Sequence, residues 1–244
     1  MENYWLFYLL ALFAEVIGTI SGFGSSVLFV PIASLFFDFK FVLGITAAFH
    51  VFSNLSKIYL FKDGINKRIA FKMGIPALIA VIAGAALVNF LPVMLVERGM
   101  SVLIFLMCIF LFFSPKVQLA TTNANLIKGG VLSGFLAGLI GTGGAIRGIV
   151  LSAFNLEKNI FIATSALIDL GVDSSRAIIY ASNGYMNVRM LTLLPLLILV
   201  SFTGSWLGKK MLTNISQKWF KHIVLGCILV SSLLQFIFHF LNNP

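Results

Sequence analysis

The sequence predicts an all-α membrane protein that crosses the bilayer several times. Of its 244 residues, 59% are hydrophobic and only 10% are charged, whereas soluble domains carry about 25% charged residues. A soluble protein of this size would lack the charge to build its surface, and the long apolar stretches suit membrane-spanning helices. Eight apolar segments can be read along the chain, at approximately residues 5–37, 41–61, 73–94, 99–114, 129–156, 159–181, 190–208 and 219–241.

The eight segments divide into two halves of four. The polar stretch 115–128 separates residues 1–114 from residues 129–244, and we interpret it as a linker between two repeats of one membrane domain. Several residues of the two halves match at a constant spacing of 119 positions, in the pairs Gly22 and Gly141, Gly24 and Gly143, Asn54 and Asp173, and Pro76 and Pro195. Matches in this order indicate an internal duplication.

Glycines interrupt the first segment of each half. Glycine is a poor helix former, and residues 5–37 are too long for a single span of about 20 residues. We therefore expect two helical arms, at about Tyr4–Ile20 and Ser25–Phe37, joined by a turn. Tight packing of two helices at small residues is the alternative explanation of these glycines. The glycines of the two turns are Gly22, Gly24, Gly141, Gly143 and Gly144.

Charged residues in the loops favour a turn at each glycine cluster. If all eight segments crossed once, the fourteen loop Lys and Arg residues would divide seven to seven between the two sides, against the positive-inside tendency. If both glycine-containing segments turn back, eleven lie on one side and only Lys40, Arg98 and Arg189 on the other. This arrangement predicts inverted repeats, cytoplasmic loops at residues 62–72 and 209–221, and both termini outside.

Ionisable residues inside the apolar segments are the next most informative set. A charge at the bilayer centre costs about 2.5–3.5 kcal/mol on insertion scales. His50, Asn54 and Lys57 have the spacing i, i+4, i+7 and share one helix face. The same spacing recurs, at matching positions, in Asp169, Asp173 and Arg176. These two polar stripes either contribute to a site or, as with Asp173 and Arg176, neutralise each other as a structural pair.

Arg147 follows the second glycine turn and is the leading candidate to bind an anion. A guanidinium binds planar or tetrahedral oxyanions through a fixed fork of donors, and helix N-termini after the turns would add N–H groups. The alternative is that Arg147 snorkels or pairs with Glu15 or an Asp. The predicted substrate site comprises Gly22, Gly24, Ser25, Ser26, Asn54, Gly141, Gly143, Gly144, Arg147, Asp173 and Arg176.

Glu15, His50 and Asp169 are candidates for proton coupling. Ionisable side chains inside a membrane commonly form proton relays, and histidine changes charge near physiological pH. A hydrogen-bonded structural role is the alternative for Glu15. The sequence also predicts that the protein is not an enzyme, since no nucleophile and base occur in a recognisable pattern. Three His and two Cys predict neither a metal site nor a cofactor.

The glycine-turn motifs resemble a known family. Gly22-Phe-Gly24-Ser-Ser-Val-Leu-Phe-Val-Pro31 and Gly138-Leu-Ile-Gly141-Thr-Gly143-Gly144 are similar to the two repeat signatures of the sulfite exporter TauE/SafE family, also called the 4-toluene sulfonate uptake permease family. The resemblance covers nearly the whole chain. It implies a membrane carrier with a twofold repeat, linked to sulfur-containing anions such as sulfite and sulfonates. The chain departs from the pattern at Ser25–Ser26 and at Val150, which stands where Pro31 stands in the first repeat.

The combined prediction is a secondary transporter in the plasma membrane. It would carry a small anion, sulfur-containing by the family resemblance, and proton coupling is an open extension of that prediction. The basic residues lie mostly in short loops, which is typical of membrane topology, so the predicted partners are the small anion and the lipid bilayer and not nucleic acid. The oligomeric state is open between a monomer and a homo-oligomer. The alternatives are an anion channel and a membrane scaffold or receptor subunit that transports nothing.

Overall fold

The computed structural model describes residues 4–62, 64–92 and 120–216, with single positions at 95, 96, 99, 102, 106 and 219. These parts of the chain contain eight α-helices and no strand, as the composition predicts. The predicted segments 99–114 and 219–241 lie largely outside the described residues. The helices are α1 (Trp5–Ser21), α2 (Ser26–Ser34), α3 (Phe39–Leu60), α4 (Lys67–Leu87, followed by a 3₁₀ turn Val88–Phe90), α5 (Asn123–Ile140), α6 (Gly144–Ala153), α7 (Lys158–Ser182) and α8 (Val188–Leu212).

Three of the described helices are long and apolar enough to cross a membrane. They are α3, α8 and α4 with its 3₁₀ extension, Lys67–Phe90. Helix α7 is equally long, at 25 residues, but it carries the charged stripe. Two helices begin earlier than their apolar segments because polar caps lie upstream: the Asn66 side chain accepts from Ile69 N, and the Thr122 hydroxyl accepts from Asn125 N. Helix α5 therefore begins inside the stretch predicted to be a linker.

The first glycine cluster ends α1 and turns the chain back on itself. Gly22 adopts a left-handed conformation (φ 71°), and its N–H bonds the Gly18 carbonyl. The rings of Phe7 and Phe36 lie 5.5 Å apart, and a Cβ on Gly18 would lie 2.7 Å from Cβ of Ser25. Helix α2 thus runs antiparallel to α1, which confirms the predicted turn between two helical arms.

The second glycine cluster also forms a turn, although Gly143 has φ −132° where its match Gly24 is left-handed. Gly141 is left-handed at φ 80° and caps α5. A Cβ on Gly129 would meet the Val150 side chain at 2.6 Å, and one on Gly143 would collide with the Ser133 carbonyl. Helix α6 therefore returns along α5. We refer to α1–α2 and α5–α6 as the first and second hairpins.

Glycines allow α4 and α5 to pack backbone against backbone. A Cβ added at Gly130, Gly134 or Gly138 would collide with the carbonyl oxygen of a residue of α4. Because the three glycines are four residues apart, they lie on one face of α5. The carbonyls they meet belong to Met73, Ala77 and Val81. This close approach is typical of small residues at helix interfaces in membranes.

The helix contacts come in matched pairs. Helix α4 packs against α5 as α8 packs against α1, and α4 packs against α7 as α8 packs against α3. Helices α3 and α7, which carry the polar stripes, pack against each other. The packing therefore places both stripes in the middle of the bundle, beside the two glycine turns.

Most of the described basic residues collect at one end of the bundle. Asn66 N bonds the Thr164 hydroxyl at 2.9 Å, Arg68 bonds Asn123, and Lys158 donates to the Ile215 carbonyl at 2.6 Å. We call this the basic end; the Lys and Arg residues on its helix ends and loops are Lys62, Lys67, Arg68, Lys72, Lys128, Lys158, Lys209 and Lys210.

The opposite end of the bundle carries Lys40 and Arg189 among the described residues. Lys40 lies 5.5 Å from the centre of the Tyr185 ring, and Arg189 lies over the rings of Tyr4 and Phe37 at 5.4 Å. Tyr4 and Phe37 flank the first hairpin, so this hairpin opens toward the end opposite to the basic end. The second hairpin opens toward the basic end, where Asn123 lies.

Candidate functional site

The two glycine turns contact each other. The hydroxyls of Ser26 and Thr142 lie 3.3 Å apart. A Cβ on Gly144 would collide with the Phe23 carbonyl, and one on Gly148 would collide with the Phe23 ring. Glycine at these two positions therefore lets the start of α6 lie directly against the first turn. The turns, although 119 positions apart in sequence, form one structural element at the centre of the protein.

Arg147 connects this element to the stripe of α7. Its side chain is buried and bonds Ser165 Oγ through Nε at 2.9 Å and the Phe23 carbonyl through Nη2 at 3.1 Å. Its Nη1 forms an ion pair with Asp169. The alternative in which Arg147 pairs with an Asp is thus the arrangement in the structure. A bound anion would have to compete with Asp169 for this guanidinium.

Asp173 and Arg176 form the second charged pair and hold the second turn. Arg176 Nε lies 2.8 Å from Asp173 Oδ1, and Arg176 Nη1 donates to the Gly141 carbonyl at 2.6 Å. Asn54 donates to Asp173 Oδ2 at 2.7 Å, so the matched positions of the two stripes touch. Arg176 thus donates its hydrogen bonds to a carboxylate and to backbone carbonyls at the second turn. These bonds position the second turn.

Glu15 and Lys57 form the third charged pair. Glu15 is completely buried, and Lys57 Nζ lies 2.8 Å from Oε1. Hydroxyls of Ser53 at 2.7 Å and Ser205 at 2.8 Å point at the same oxygen. The Ser25 hydroxyl lies 2.5 Å from Oε2. The carboxyl group therefore joins α1, the first turn, α3 and α8.

The charges of these six buried side chains cancel. Within the described parts of the chain, Lys57, Arg147 and Arg176 each pair with one carboxylate, in turn Glu15, Asp169 and Asp173. Buried charges are costly unless paired and hydrogen-bonded, so this balance keeps the polar centre compatible with an apolar environment. Asp169 has the most exposed side chain of the six, at 12%.

The predicted site residues divide into two groups. Gly24, Ser25, Ser26, Gly143, Gly144 and Arg147 gather where the turns meet. Asn54, Gly141, Asp173 and Arg176 form an adjoining network. Gly22 differs, because a Cβ there would meet the Phe161 ring at 2.7 Å; its role is the turn and its packing. Among the described residues no group of His, Cys, Asp or Glu could hold a metal ion.

Several residues of the centre were missed by sequence reasoning. Ser165 and Thr46 precede Asp169 and His50 by four residues and are 119 positions apart, so the matched stripes could have been extended to them. Ser53 adjoins Asn54, and the stripe was assigned to Asn54 alone at this point of the helix. Ser205 follows Ser201 by four residues in α8, and both are buried, so this spacing could have indicated a polar stripe in that helix.

Comparison with known proteins indicates membrane transport. A family model described as Sulfite exporter TauE/SafE matches residues 7–234. A probable membrane transporter protein of Methanocaldococcus jannaschii is 26% identical to the chain, and the alignment covers 88% of each protein. No solved structure matches the chain significantly.

Proposed function

Because the chain belongs to the sulfite exporter TauE/SafE family and is a membrane transporter, we propose that it is a secondary transporter of a small sulfur-containing anion. The family name supports sulfite, and organic sulfonates present the same three oxygens on sulfur. The observation that carries the proposal is the position of Arg147. Its guanidinium touches the first turn at Phe23 and belongs to the hairpin of the second.

The proposed substrate site forms when the anion takes the place of Asp169 on Arg147. A guanidinium holds an oxyanion through parallel hydrogen bonds, and Asp169 already accepts such a bond from Nη1. Gly24 lies beside both side chains, since a Cβ there would be 3.5 Å from Asp169 Oδ2 and 3.7 Å from Arg147 Nη2. Ser26 and Thr142 would supply further donors to the remaining oxygens.

The proposed membrane arrangement has inverted repeats. It is supported by the two hairpins opening toward opposite ends of the bundle and by the collection of basic residues at one end. That end would face the cytoplasm, with the loops 62–72 and 209–221, and the N-terminus would lie outside the plasma membrane, as would the C-terminus. Helices α2 and α6, of 9 and 10 residues, are about 14–15 Å long, against a hydrocarbon core of about 30 Å. We therefore propose that the hairpins are re-entrant.

Alternating access would then follow from movement of the hairpins against the helices that carry the stripes. The anion would bind at the turns from one side, and the charged pairs that fix the turns would re-form after release on the other. Coupling to protons would use ionisable groups at this centre, for which Glu15, His50 and Asp169 are the candidates. Irregular backbone at membrane depth is compatible with such a site, since it is buried in protein.

Flux into proteoliposomes tests the proposal. The purified protein would be reconstituted and given sulfite, methanesulfonate, sulfate or acetate, with and without a pH gradient. We expect uptake of sulfite or the sulfonate to be saturable and faster than uptake of acetate. Linear, unsaturated flux would indicate a channel, and no flux of any anion would exclude the transport of these substrates.

A further inference from the structure

A hydrogen-bond chain runs from Glu15 through Ser25 to His50. The Ser25 hydroxyl lies 2.5 Å from Glu15 Oε2 and 2.8 Å from His50 Nε2. His50 Nδ1 lies 2.8 Å from the Thr46 carbonyl oxygen. All of these side chains are buried, so no bulk water replaces a missing partner.

The donors and acceptors of this chain can be counted. A carbonyl oxygen only accepts, so His50 Nδ1 must carry a proton and donate to Thr46. In a neutral imidazole the other nitrogen is then an acceptor, and the Ser25 hydroxyl must donate to it. Ser25 has a single hydroxyl proton and short hydrogen bonds are close to linear, so that proton cannot also bridge to Glu15. Glu15 must then be protonated and donate to Ser25.

The opposite assignment leads to the same count. If Ser25 donates to an ionised Glu15, then His50 Nε2 must donate to Ser25. Both nitrogens of His50 then carry protons, and the ring is an imidazolium. Either way the three residues hold one proton more than an ionised carboxylate, a hydroxyl and a neutral imidazole would.

We infer that Glu15, Ser25 and His50 form a proton relay that holds the coupling proton of transport. The inference rests on the proposed anion transport. The proton resides at Glu15 Oε2 or at His50 Nε2 and passes between them through Ser25, which gives up one proton as it accepts another. No bond other than these O–H and N–H bonds forms or breaks.

The charges around the relay fix how many anions the proton accompanies. Three cations act electrostatically on His50, namely Lys57 of α3, Arg147 of α6 and Arg176 of α7. On the other side of Ser25, Glu15 of α1 contacts Lys57 and the uncharged Ser205 of α8. Each cation is balanced by one carboxylate when Glu15 is ionised. The relay proton therefore adds one positive charge, and one monoanion restores neutrality. We expect one proton to accompany each monoanion.

The relay also explains how the proton could act on the first turn. Ser25 precedes α2 directly, as its N-cap residue. When the proton leaves, the single hydroxyl proton of Ser25 can serve only one of its two partners, and the other hydrogen bond breaks. Loss of the proton thus weakens the hold of α1 and α3 on the tip of the first hairpin.

The test compares Ser25→Ala with Ser205→Ala. Both hydroxyls point at Glu15 from buried positions, but only Ser25 also bonds His50. The first readout is proton movement, by a dye trapped in proteoliposomes, during uptake of methanesulfonate, which carries no titratable proton near neutral pH. The second is titration of the nitrogen resonances of His50 in purified protein without substrate, assigned with His50→Gln.

The relay predicts that Ser25→Ala and His50→Gln lose the proton that accompanies the sulfonate, while Ser205→Ala keeps it. It also predicts that the His50 titration shifts in Ser25→Ala and not in Ser205→Ala.

Equal His50 titrations in the wild type and in Ser25→Ala would overturn the relay, whether or not the sulfonate is transported. Absence of sulfonate and sulfite flux with a shifted His50 titration would instead overturn the proposed function and leave the relay as a proton site. If Ser25→Ala does not fold, His50→Gln decides the inference through proton movement.

Discussion

Arg147 donates a hydrogen bond of 3.1 Å to the backbone carbonyl oxygen of Phe23, a residue that precedes it by 124 positions. Phe23 lies between the two left-handed glycines of the first turn, Gly22 and Gly24. The bond therefore fastens the second hairpin to the tip of the first. Because the same guanidinium also pairs with Asp169, any ligand that engages Arg147 changes how the two hairpins are held together.

Asp169→Asn is expected to raise the affinity for the transported anion. The substitution removes the carboxylate that competes for Arg147 but keeps the shape of the side chain. A charge-assisted hydrogen bond is worth about 1.5–3 kcal/mol, so the dissociation constant should fall about tenfold or more. Binding of sulfite or methanesulfonate to the purified protein by calorimetry gives this number, and a weaker affinity than that of the wild type would show that Asp169 contributes to the site instead.

Arg147→Ala alone is expected to destabilise the protein. It leaves the buried Asp169 carboxylate without its cation, and breaking a buried ion pair costs about 3–5 kcal/mol. The double variant Arg147→Ala, Asp169→Asn removes both charges and should recover most of that loss. Thermal unfolding of the single and double variants in detergent measures the difference, and equal unfolding temperatures would mean that the pair contributes no coupling energy.

Gly134→Ala is expected to disrupt the packing of α4 on α5. The added methyl group would collide with the Ala77 carbonyl, and overpacking of this kind costs about 1–3 kcal/mol. Gly74→Ala is the matched control, because its methyl group would only touch Ile168 at 3.6 Å and alanine is a better helix former than glycine. Unfolding temperatures should fall for the first variant and not for the second; the reverse order would contradict the close approach of the two backbones.

Cysteine labelling is expected to place the two ends of the bundle on opposite sides of the membrane. Val188 is 77% exposed at the end that carries Arg189, and Lys67 is exposed at the basic end. With Cys108 and Cys227 replaced by serine, a membrane-impermeant maleimide should label Val188→Cys in intact cells. It should label Lys67→Cys only after permeabilisation. Labelling of both from the same side would contradict the proposed topology.

The duplication made much of the centre predictable. Asn54 and Asp173 were matched at a spacing of 119, and they meet at 2.7 Å because equivalent helices of the two halves pack against each other. The turns at Gly22 and Gly141 were predictable for a different reason, since an apolar segment too long for one span must break where helix propensity is lowest.

Partners from unrelated helices were not predictable. Ser205 reaches Glu15 from α8. Its spacing of four from the buried Ser201 marks one face of α8, but no local pattern tells which helix that face contacts. The pairing of Arg147 with Asp169 was left open, because both are compatible with several partners until the helices are placed. The contact of Gly144 and Gly148 with Phe23 depends on how the two hairpins meet, which no local pattern encodes.

Binding of sulfite and methanesulfonate to the double variant Arg147→Ala, Asp169→Asn tests the central claim most directly. The variant keeps the balance of buried charges, so its fold is expected to be retained and can be verified by thermal unfolding. If Arg147 holds the anion, calorimetry will detect binding to the wild type and none to the double variant. Equal affinity in the two proteins would contradict an anion site at the meeting point of the glycine turns.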